Sequence, residues 1–378
     1  MFEAEVVSVK GDAVVLTNTA FYPGGGGQVC DTGTIQGERV TAVAYQDREI
    51  IHTVPGNHLI VGQTVWCSVD WDRRLDLMMG HTAEHLLFCS LKRQDPDLTI
   101  TKIYIAPEDK YVVVNHDVPW DKIRDALRFA NQAIRDNLSV TKSVMSRDDP
   151  ELAKVRIKLD RIAEDEEITV VAIGDIDLSA CSGIHVMETS ELGMVFVDRK
   201  VSAGKDGIAI HFKVGNAAMD AAMELGNICL QVLDLAGGMP ADLTRTVANL
   251  EHEVDVAQEA KKAAAKLQLK GLKPISVNGT AVYSALFVDA DRKTLSDAAD
   301  EYRSQGGVAV FVSAADTAAA LIASGTPKVD CRRILPEVLK QFGGRGGGKA
   351  DFAQGGAPDP AQAQNLLDAL LDSVKAVL

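Results

Sequence analysis

The chain has 378 residues, of which 46% are hydrophobic and 24% are charged. These proportions are typical of a folded globular protein and exclude a disordered or fibrous chain. Acidic side chains outnumber basic ones by 53 to 39, so the formal net charge is −14, which argues against a protein that coats nucleic acid through a generally basic surface. At about 150 residues per domain, the length predicts two or three domains.

Three further features predict a cytoplasmic protein without a membrane span. The longest apolar run, 308–324, is interrupted by Ser313, Asp316 and Thr317, so it falls short of a transmembrane helix. The first residues form neither a basic nor an apolar region, and we therefore expect no signal peptide. The 6 cysteines are scattered along the chain, which is not the pattern of a disulfide framework and favours reduced thiols.

The first 75 residues predict β structure. Apolar residues alternate or run together in five segments, and the first two are joined by a turn at Lys10–Asp12. The predicted strands cover 3–9, 13–17, 39–45, 49–54 and 64–69. Several of the links contain glycine, so a small barrel or sandwich is expected.

The pattern changes near Trp71 to one typical of an α+β domain. Residues 73–92 have helical periodicity, and a second helix is predicted over 119–137, with Pro119 near its first turn. The predicted strands of this region cover 99–105, 111–116, 167–173, 185–189 and 208–214. The segment has the usual size of one domain.

Residues 216–272 predict a helical spacer that is interrupted near Gly237. Asp242 is a candidate N-cap for the second helix. A 4-3-4 spacing typical of a heptad seam follows, which favours a helical hairpin or a short coiled coil. The seam consists of Leu243, Val247, Leu250 and Val254.

The last segment, 273–378, predicts a separate α/β domain. Strands over 281–288 and 308–312 alternate with helices that begin at Thr294 and Ile334. A glycine-rich loop over 343–356 and a final helix over 360–378 complete the segment.

Two pairs of metal-binding residues form the strongest chemical signal. His81 and His85 are four residues apart on a predicted helix, which presents both imidazoles on the same side. Cys181 and His185, at a turn that enters a predicted strand, add a thiolate and a third imidazole. This set suits tetrahedral Zn²⁺, so one zinc ion per chain is predicted. The alternative is a core helix with satisfied histidines and a buried thiol.

The same helix segment spells HxxEH, the signature of inverzincin metalloproteases, in which Glu84 would be the general base. Such an enzyme needs an open coordination position on its metal. Ligation by Cys181 and His185 would close that position. A metalloprotease is therefore the weaker interpretation.

Four successive glycines, Gly24–Gly27, follow Phe21-Tyr22-Pro23 and precede Gln28. Such glycines permit positive φ and the close approach of backbone to another group. The aromatic and amide side chains around them suit packing and hydrogen bonding. These features favour a binding site over the alternative, a flexible hairpin turn.

A second glycine-rich segment nearly matches a phosphate-binding loop, since Gly343 is followed after four residues by Gly348-Lys349. Ala350 stands where such loops have the hydroxyl that binds Mg²⁺, so ATP binding is not expected. Backbone amides together with Arg345 and Lys349 still suit the phosphates of a polyanion. The alternative is a solvated loop.

Four segments, TAFYPGGGGQ, DWDRRLDLMMGHTAEHLL, CSGIHV and GGRGGGKADFAQGG, occur in this order. In this order they resemble the editing and C-terminal regions of alanyl-tRNA synthetase. As a whole, the chain resembles the freestanding editing proteins called AlaX, in their long form. The resemblance implies an α+β protein in four parts. These are a glycine-rich β-barrel domain (1–75), a zinc-binding editing domain (76–215), a helical spacer (216–272) and a C-terminal domain related to DHH-associated domains (273–378).

The resemblance also implies an activity, which is hydrolysis in trans of tRNA(Ala) mischarged with serine or glycine to free amino acid and tRNA. The residues that match the zinc ligands are His81, His85, Cys181 and His185. Gln28 matches the glycine-rich motif beside the editing pocket. Thr101, with Thr99 as the weaker alternative, falls near the position that contacts the substrate side chain. The C-terminal domain would bind tRNA, through Arg345, Gly346, Gly347, Gly348, Lys349 and Gln354, and form a homodimer. The alternative is a zinc-stabilised tRNA-binding module without catalysis.

The motif around the thiol departs from the family pattern, CGGTH. Ser182 and Ile184 replace the first glycine and the threonine of that pattern. Ile184 removes a hydroxyl near the metal, so the fine selectivity for the substrate is expected to differ.

Overall fold

The computed structural model describes residues 1–157 and 167–378. They form two compact units, Met1–Val232 and Leu233–Leu378. The four-part division expected from the sequence is finer than these two units and stays a prediction. No helix in the described ranges is long and apolar enough to cross a membrane.

The N-terminal residues form a nearly closed, barrel-like antiparallel sheet of seven strands. The strands are β1 (Phe2–Lys10), β2 (Ala13–Leu16), β3 (Gly33–Ile35), β4 (Glu38–Val40), β5 (Ala42–Gln46), β6 (Glu49–Thr53) and β7 (Thr64–Val69). Their order is β4-β3-β7-β1-β2-β6-β5. A bulge between Val6 and Ser8 lets β1 bend and pair with strands on both sides. The core contains Val6, Val14, Ile35, Val40 and Val65.

One predicted strand of this region, 39–45, is in fact two strands. β4 pairs with β3 and β5 pairs with β6, so the chain leaves one edge of the sheet and joins the opposite edge. The break falls at Thr41, whose amide donates to the carbonyl of Thr53. Apolar alternation continues through the break, and it therefore did not reveal the change of partner.

The rest of the first unit is built around a buried helix. The helices are α1 (Trp71–Gln94), α2 (Trp120–Arg135) and α3 (Asn216–Ala236), which runs past the boundary between the units. A four-stranded sheet of order β13-β14-β9-β8 consists of β8 (Ile100–Ile105), β9 (Lys110–Val114), β13 (Val195–Ser202) and β14 (Ile208–Val214). A three-stranded sheet consists of β10 (Val140–Met145), β11 (Ile168–Ile173) and β12 (Asp177–Ala180).

Sequence periodicity placed α1 and α2 within two residues of their observed ends. Asp72 in the first turn of α1 and Lys92 and Arg93 in its last turn suit the helix dipole. The central part of α1, from Gly80 to Leu91, is buried throughout. Its apolar side chains pack with one face of the four-stranded sheet, which contributes Val112, Val114, Ile210 and Phe212.

The strand predicted over 185–189 is wrong. After His185 the chain enters a short 3-10 turn, Thr189–Leu192, whose N-cap is Glu188. The amide of Val186 donates to Oγ1 of Thr82 on α1, at 3.2 Å, rather than to a neighbouring strand. The segment still makes an isolated bridge between Ser139 and Glu188, but with the Val186 amide bonded to the central helix it does not extend into a strand.

The segment predicted as a helical spacer contains two helices, α3 and α4 (Leu243–Lys270), and its role as a spacer stays a prediction. Gly237 and Gly238 interrupt it with φ values of 75° and 107°. Asp242 is the N-cap residue of α4, as predicted, but its side chain makes no cap hydrogen bond. Its carboxylate instead accepts a hydrogen bond of 2.8 Å from Arg245.

The second unit contains a six-stranded sheet of order β15-β16-β17-β18-β20-β19. The strands are β15 (Ile275–Val277), β16 (Thr280–Val288), β17 (Val308–Ala314), β18 (Ala318–Ser324), β19 (Arg345–Gly348) and β20 (Phe352–Ala357). The helices that pack on it are α5 (Arg292–Ser304), α6 (Cys331–Gln341) and α7 (Ala363–Val377). β16 and β17 are parallel and the other pairs are antiparallel.

The glycine-rich segment 343–356 was predicted as a loop but forms the hairpin of β19 and β20. A Cβ atom on Gly346 would lie 2.7 Å from Cδ1 of Leu339 on α6, and one on Gly355 would lie 2.6 Å from the same atom. The glycines therefore let α6 pack directly on the hairpin backbone. On β19 the residues Arg345, Gly346, Gly347 and Gly348 are exposed.

Candidate metal centre

His81, His85, Cys181 and His185 converge in the first unit. Their ligand atoms all lie within 4.8 Å of one another. Sγ of Cys181 is 3.4 Å from Nε2 of His81 and 3.4 Å from Nε2 of His185. Residues separated by 100 positions in the chain thus come together as the sequence predicted.

The backbone around Cys181 explains how the second pair reaches the helix. Cys181 directly follows β12, so the turn that carries Cys181 and His185 lies at the end of a strand. The sequence analysis predicted that this turn precedes a strand. A Cβ atom on Gly183 would overlap Cε1 and Nδ1 of His81. Only glycine lets this loop cross the imidazole so closely.

Each of the three imidazoles has a different partner for its Nδ1 atom. Nδ1 of His81 is 2.7 Å from Oε1 of Gln28. The other two contacts are His85 Nδ1 to Asp177 Oδ2 and His185 Nδ1 to Thr82 Oγ1, both at 3.1 Å. Because these partners hold Nδ1 as the donor, Nε2 of each ring is left to bind a metal ion.

Sequence reasoning missed Asp177. Its carboxylate accepts hydrogen bonds from Arg156 at 3.1 Å and from the hydroxyl of Ser179 at 2.7 Å, besides that from His85. Burial raises the pKa of Asp177, but the hydrogen bond from His85 and the charge of Arg156 outweigh it and lower this pKa to about 2. Asp177 is therefore a carboxylate that orients His85. No motif marks it in the sequence.

Sequence reasoning also missed Thr82, although it lies inside the HTAEH segment. Its hydroxyl donates to the carbonyl of Met78 at 3.0 Å, so it must accept from Nδ1 of His185. The position next to His81 was the available signal, since threonine in a helix can hold a neighbouring ligand while it bonds to its own backbone.

The donor set fits a divalent cation of the zinc type. Three neutral imidazoles and a thiolate are common ligands of Zn²⁺. Burial raises the pKa of Cys181, but hydrogen bonds with His185 and His81 outweigh it and lower this pKa to about 2, so the thiolate is favoured.

Glu84 supplies a separate test of the fit. It is 0% exposed, and neither of its carboxylate oxygens has a hydrogen-bond partner in the described part of the chain. Oε2 lies 3.9 Å from Nε2 of His85, on the side where a metal ion would sit. A buried carboxylate without hydrogen bonds is costly, and a nearby cation would compensate it.

The glycine segment lies along the edge of β8. The amide of Ile105 donates to the carbonyl of Gly27 at 2.8 Å, and the amide of Val29 donates to the carbonyl of Ile105 at 3.1 Å. A Cβ atom on Gly27 would lie 2.6 Å from the carbonyl oxygen of Ile103. These contacts direct Gln28 toward His81. Nε2 of Gln28 is buried and has no partner within the described ranges.

Asp31 fixes the end of the same segment to α1. Its carboxylate accepts from the amide of Tyr22 at 2.6 Å and from Nε of Arg74 at 3.0 Å. Asp31 is fully buried, so this pair is shielded from solvent. The glycine segment is thus held at both ends and is not a free hairpin turn.

The other predicted site residues lie elsewhere. Thr101 is exposed on β8, with Oγ1 2.9 Å from the carbonyl oxygen of Asp206 and 3.2 Å from that of Val113. No hydrogen bond among the described residues joins it to the four-residue cluster, and its contact with substrate stays a prediction. Lys349, directly after β19, and Gln354, on β20, are both exposed in the second unit.

Comparison with known proteins defines the class of this chain. The family model for class II (A) tRNA synthetases matches residues 1–73, and that for the DHHA1 domain matches residues 278–376. The chain therefore combines a segment of the tRNA-synthetase type with a DHHA1 domain.

The relatives are alanine–tRNA ligases. The ligase of Methanoculleus marisnigri is 32% identical over 388 residues, which cover 97% of this chain and 41% of the ligase. That of Methanoregula boonei is 28% identical over 377 residues, or 95% of this chain and 40% of the ligase. Among solved structures, the C-Ala domain of Aquifex aeolicus alanyl-tRNA synthetase is 26% identical, covers 27% of this chain and 98% of its own, and has a TM-score of 0.25.

The resemblance noted in the sequence is confirmed, because the chain is homologous to alanyl-tRNA synthetases over almost all of its length. It spans about two-fifths of the length of the curated relatives that it matches.

Proposed function

We propose that this protein is an aminoacyl-tRNA deacylase that hydrolyses the ester of tRNA(Ala) mischarged with serine or glycine, in trans. The observation that carries the proposal is the four-residue cluster, with each imidazole fixed through Nδ1, beside the Nε2 atom of Gln28, which has no hydrogen-bond partner among the described residues. Homology to alanine–tRNA ligases supports tRNA(Ala) as the substrate.

One zinc ion per chain would bind His81, His85, Cys181 and His185 and supply a fixed positive charge at the base of the site. Four protein ligands fill a tetrahedral shell. The cluster therefore serves to organise the pocket, and the protein's polar groups hold the attacking water. Asp177 and Thr82 keep the ligands in place through their hydrogen bonds.

Gln28 is the group that we assign to the substrate. Its Oε1 accepts a hydrogen bond from Nδ1 of His81. Its buried Nε2 still has N–H groups available to an oxygen atom of the substrate. It would donate to the serine hydroxyl or to the ester carbonyl. Because alanine has no hydroxyl, a donor built for serine would stay unpaired with Ala-tRNA(Ala), which can reduce the rate by about 10⁴-fold. Size exclusion could not protect alanine, which is smaller than serine.

The second unit would bind the tRNA body and form the homodimer. Arg345 and Lys349 place two cations at the exposed edge strand β19, and Gln354 is exposed on the neighbouring strand. Apart from the adjacent residues, no atom of the described part of the chain would lie within 4 Å of a Cβ atom on Gly347, so a phosphate or ribose can approach the backbone there.

The test is release of amino acid from Ser-tRNA(Ala), Gly-tRNA(Ala) and Ala-tRNA(Ala) by the zinc-loaded full chain. We expect hydrolysis of the first two and survival of the third. Cys181→Ala should abolish the hydrolysis. Cys229→Ala, at an exposed cysteine outside the cluster, should leave it unchanged. Tight tRNA binding with no hydrolysis above buffer would instead support a zinc-stabilised binding module.

A further inference from the structure

A row of four side chains crosses the four-stranded sheet. Strand pairing places Arg199 opposite His211, His211 opposite Tyr111 and Tyr111 opposite Tyr104. The rings of Tyr104 and Tyr111 are stacked, with centroids 5.2 Å apart and an interplanar angle of 25°. The centroid of Tyr111 is 4.9 Å from that of His211. We call these four residues the aromatic row.

The aromatic row lies on the face of the sheet that α1 and α2 do not cover. Successive side chains of a strand point to opposite faces. The residues next to the row belong to the helix-covered core, and they are Ile105, Val112, Ile210 and Phe212. Arg199 has a side-chain exposure of 45%, and both tyrosines are partly exposed.

The charges on this face are mixed, with cations at its margins. The carboxylate of Asp109 lies 3.0 Å from Nδ1 of His211 and 3.2 Å from the guanidinium group of Arg199. The hydroxyl of Tyr104 donates to Glu108 at 2.8 Å. Two positions along the strands from the row, Lys102 and Lys213 lie on the same face. The face thus offers aromatic rings flanked by lysines.

The row ends beside the candidate site. Tyr104 is on β8, and the glycine segment pairs with that strand at Gln28 and Ile105. Gln28 turns toward His81 on the helix-covered side. Among the described residues other than the chain neighbours, none would come within 4 Å of a Cβ atom on Gly26, and only the Tyr22 hydroxyl, at 3.5 Å, would approach one on Gly25. At this edge of the sheet, along β8, Gly25 and Gly26 therefore expose mainly backbone atoms between the two faces.

We propose that Tyr104 and Tyr111 form a stacking surface for the unpaired nucleotides that precede the terminal adenosine of the RNA substrate. The proposal rests on the proposed function, which places the aminoacylated 3′ end at the metal centre. The terminal nucleotide would cross the sheet edge over the glycines, while the nucleotides before it stay on the outer face. Aromatic side chains on a four-stranded sheet stack RNA bases, and lysines can hold the phosphates.

The experiment measures binding of uncharged RNA to the zinc-loaded full chain. The probe is a 5′-fluorescein RNA hairpin with a single-stranded 3′ ACCA tail, compared with the same hairpin without the tail. In Tyr104→Leu, the affinity gained from the tail should fall at least about fivefold, whereas Tyr104→Phe should keep it. Tyr45→Leu, at a tyrosine that is 66% exposed on the first sheet, is the matched control. Equal tail-dependent affinity in Tyr104→Leu and the unmodified protein would overturn the proposal.

A spectroscopic measurement on the unmodified protein keeps the proposal testable if the leucine variant does not fold. A 2-aminopurine base at the penultimate position should be quenched on binding, and quenching should be absent for a base inside the hairpin stem. An unquenched penultimate base would contradict the proposal. Deacylation is assayed separately. If no ester is cleaved but quenching and the loss in Tyr104→Leu occur, the stacking surface stands and the proposed function fails.

Discussion

Oε1 of Gln28 lies 2.7 Å from Nδ1 of His81, which is 53 residues further along the chain. This contact joins the glycine segment to the first residue of the candidate metal centre. It fixes the ring of His81 with Nε2 toward Cys181, and it fixes which end of the Gln28 amide is left for a substrate. One side chain thus links the geometry of the metal centre to the proposed selectivity.

Two substitutions of Gln28 separate these roles. Gln28→Glu keeps an acceptor for His81 but removes the N–H donor, so we expect the zinc content to be retained and kcat/KM for Ser-tRNA(Ala) to fall about 10²–10³-fold. Gln28→Leu removes both and should also weaken zinc binding about 10–100-fold. Metal analysis and deacylation kinetics on both variants check this. A fully active Gln28→Glu enzyme would show that the amide does not touch the substrate.

Asp177→Asn should weaken zinc binding about 10–100-fold, because an amide is a poorer acceptor for Nδ1 of His85 and removes the negative charge beside the cluster. The measurement is competition with a chelator of known affinity. Asp175→Asn, at an exposed turn two residues away, is the control and should leave affinity unchanged. Equal zinc affinities of the two variants would remove Asp177 from the site.

Gly183→Ala should displace the loop that carries Cys181 and His185, since its Cβ atom would overlap His81. We expect a loss of about 1–3 kcal/mol of folding free energy together with reduced zinc stoichiometry. The control is Gly226→Ala in α3, where no atom lies within 4 Å of the added Cβ atom. That change should be neutral or slightly stabilising. Chemical denaturation and metal analysis test both variants, and a normal metal content in Gly183→Ala would be incompatible with the close crossing.

Glu84→Gln should act in opposite directions with and without metal. In the metal-free protein it replaces a buried carboxyl group that has no hydrogen-bond partner among the described residues, so the free energy of unfolding should rise by about 1–3 kcal/mol. In the zinc-loaded protein the carboxylate is compensated, so the gain should shrink or reverse. Thermal unfolding of both forms with and without zinc provides the measurement. The same gain in both would mean that no cation compensates Glu84.

Removing the cations at β19, which are Arg345 on the strand and Lys349 directly after it, should weaken tRNA binding without affecting the metal centre. Each of Arg345→Ala and Lys349→Ala should reduce the slope of log affinity against log salt by about one. Lys375→Ala, at the end of α7, is the matched control. A titration of full-length tRNA at several salt concentrations measures the slope. Unchanged slopes in both β19 variants would place the tRNA contact elsewhere.

The sequence predicted those features that depend on local pattern. The spacing of His81 and His85 on α1 is set by helix geometry, and the alternation over 208–214 predicted β14 residue for residue. The contact of Asp177 with His85 could not be predicted, because the two residues are 92 positions apart and only the folded chain brings them together. The hairpin at β19 was missed because a run of glycines has no pattern of its own, and its meaning depends on Leu339 of another element.

The central claim is that a single zinc ion is bound by one sulfur and three nitrogen atoms. Zinc-edge X-ray absorption of the full chain tests it most directly. We predict a four-coordinate shell with one sulfur at about 2.3 Å and three nitrogens at about 2.0–2.1 Å, and loss of the sulfur in Cys181→Ala. A stoichiometrically bound zinc whose shell contains no sulfur, or a chain that binds no zinc, would contradict the account.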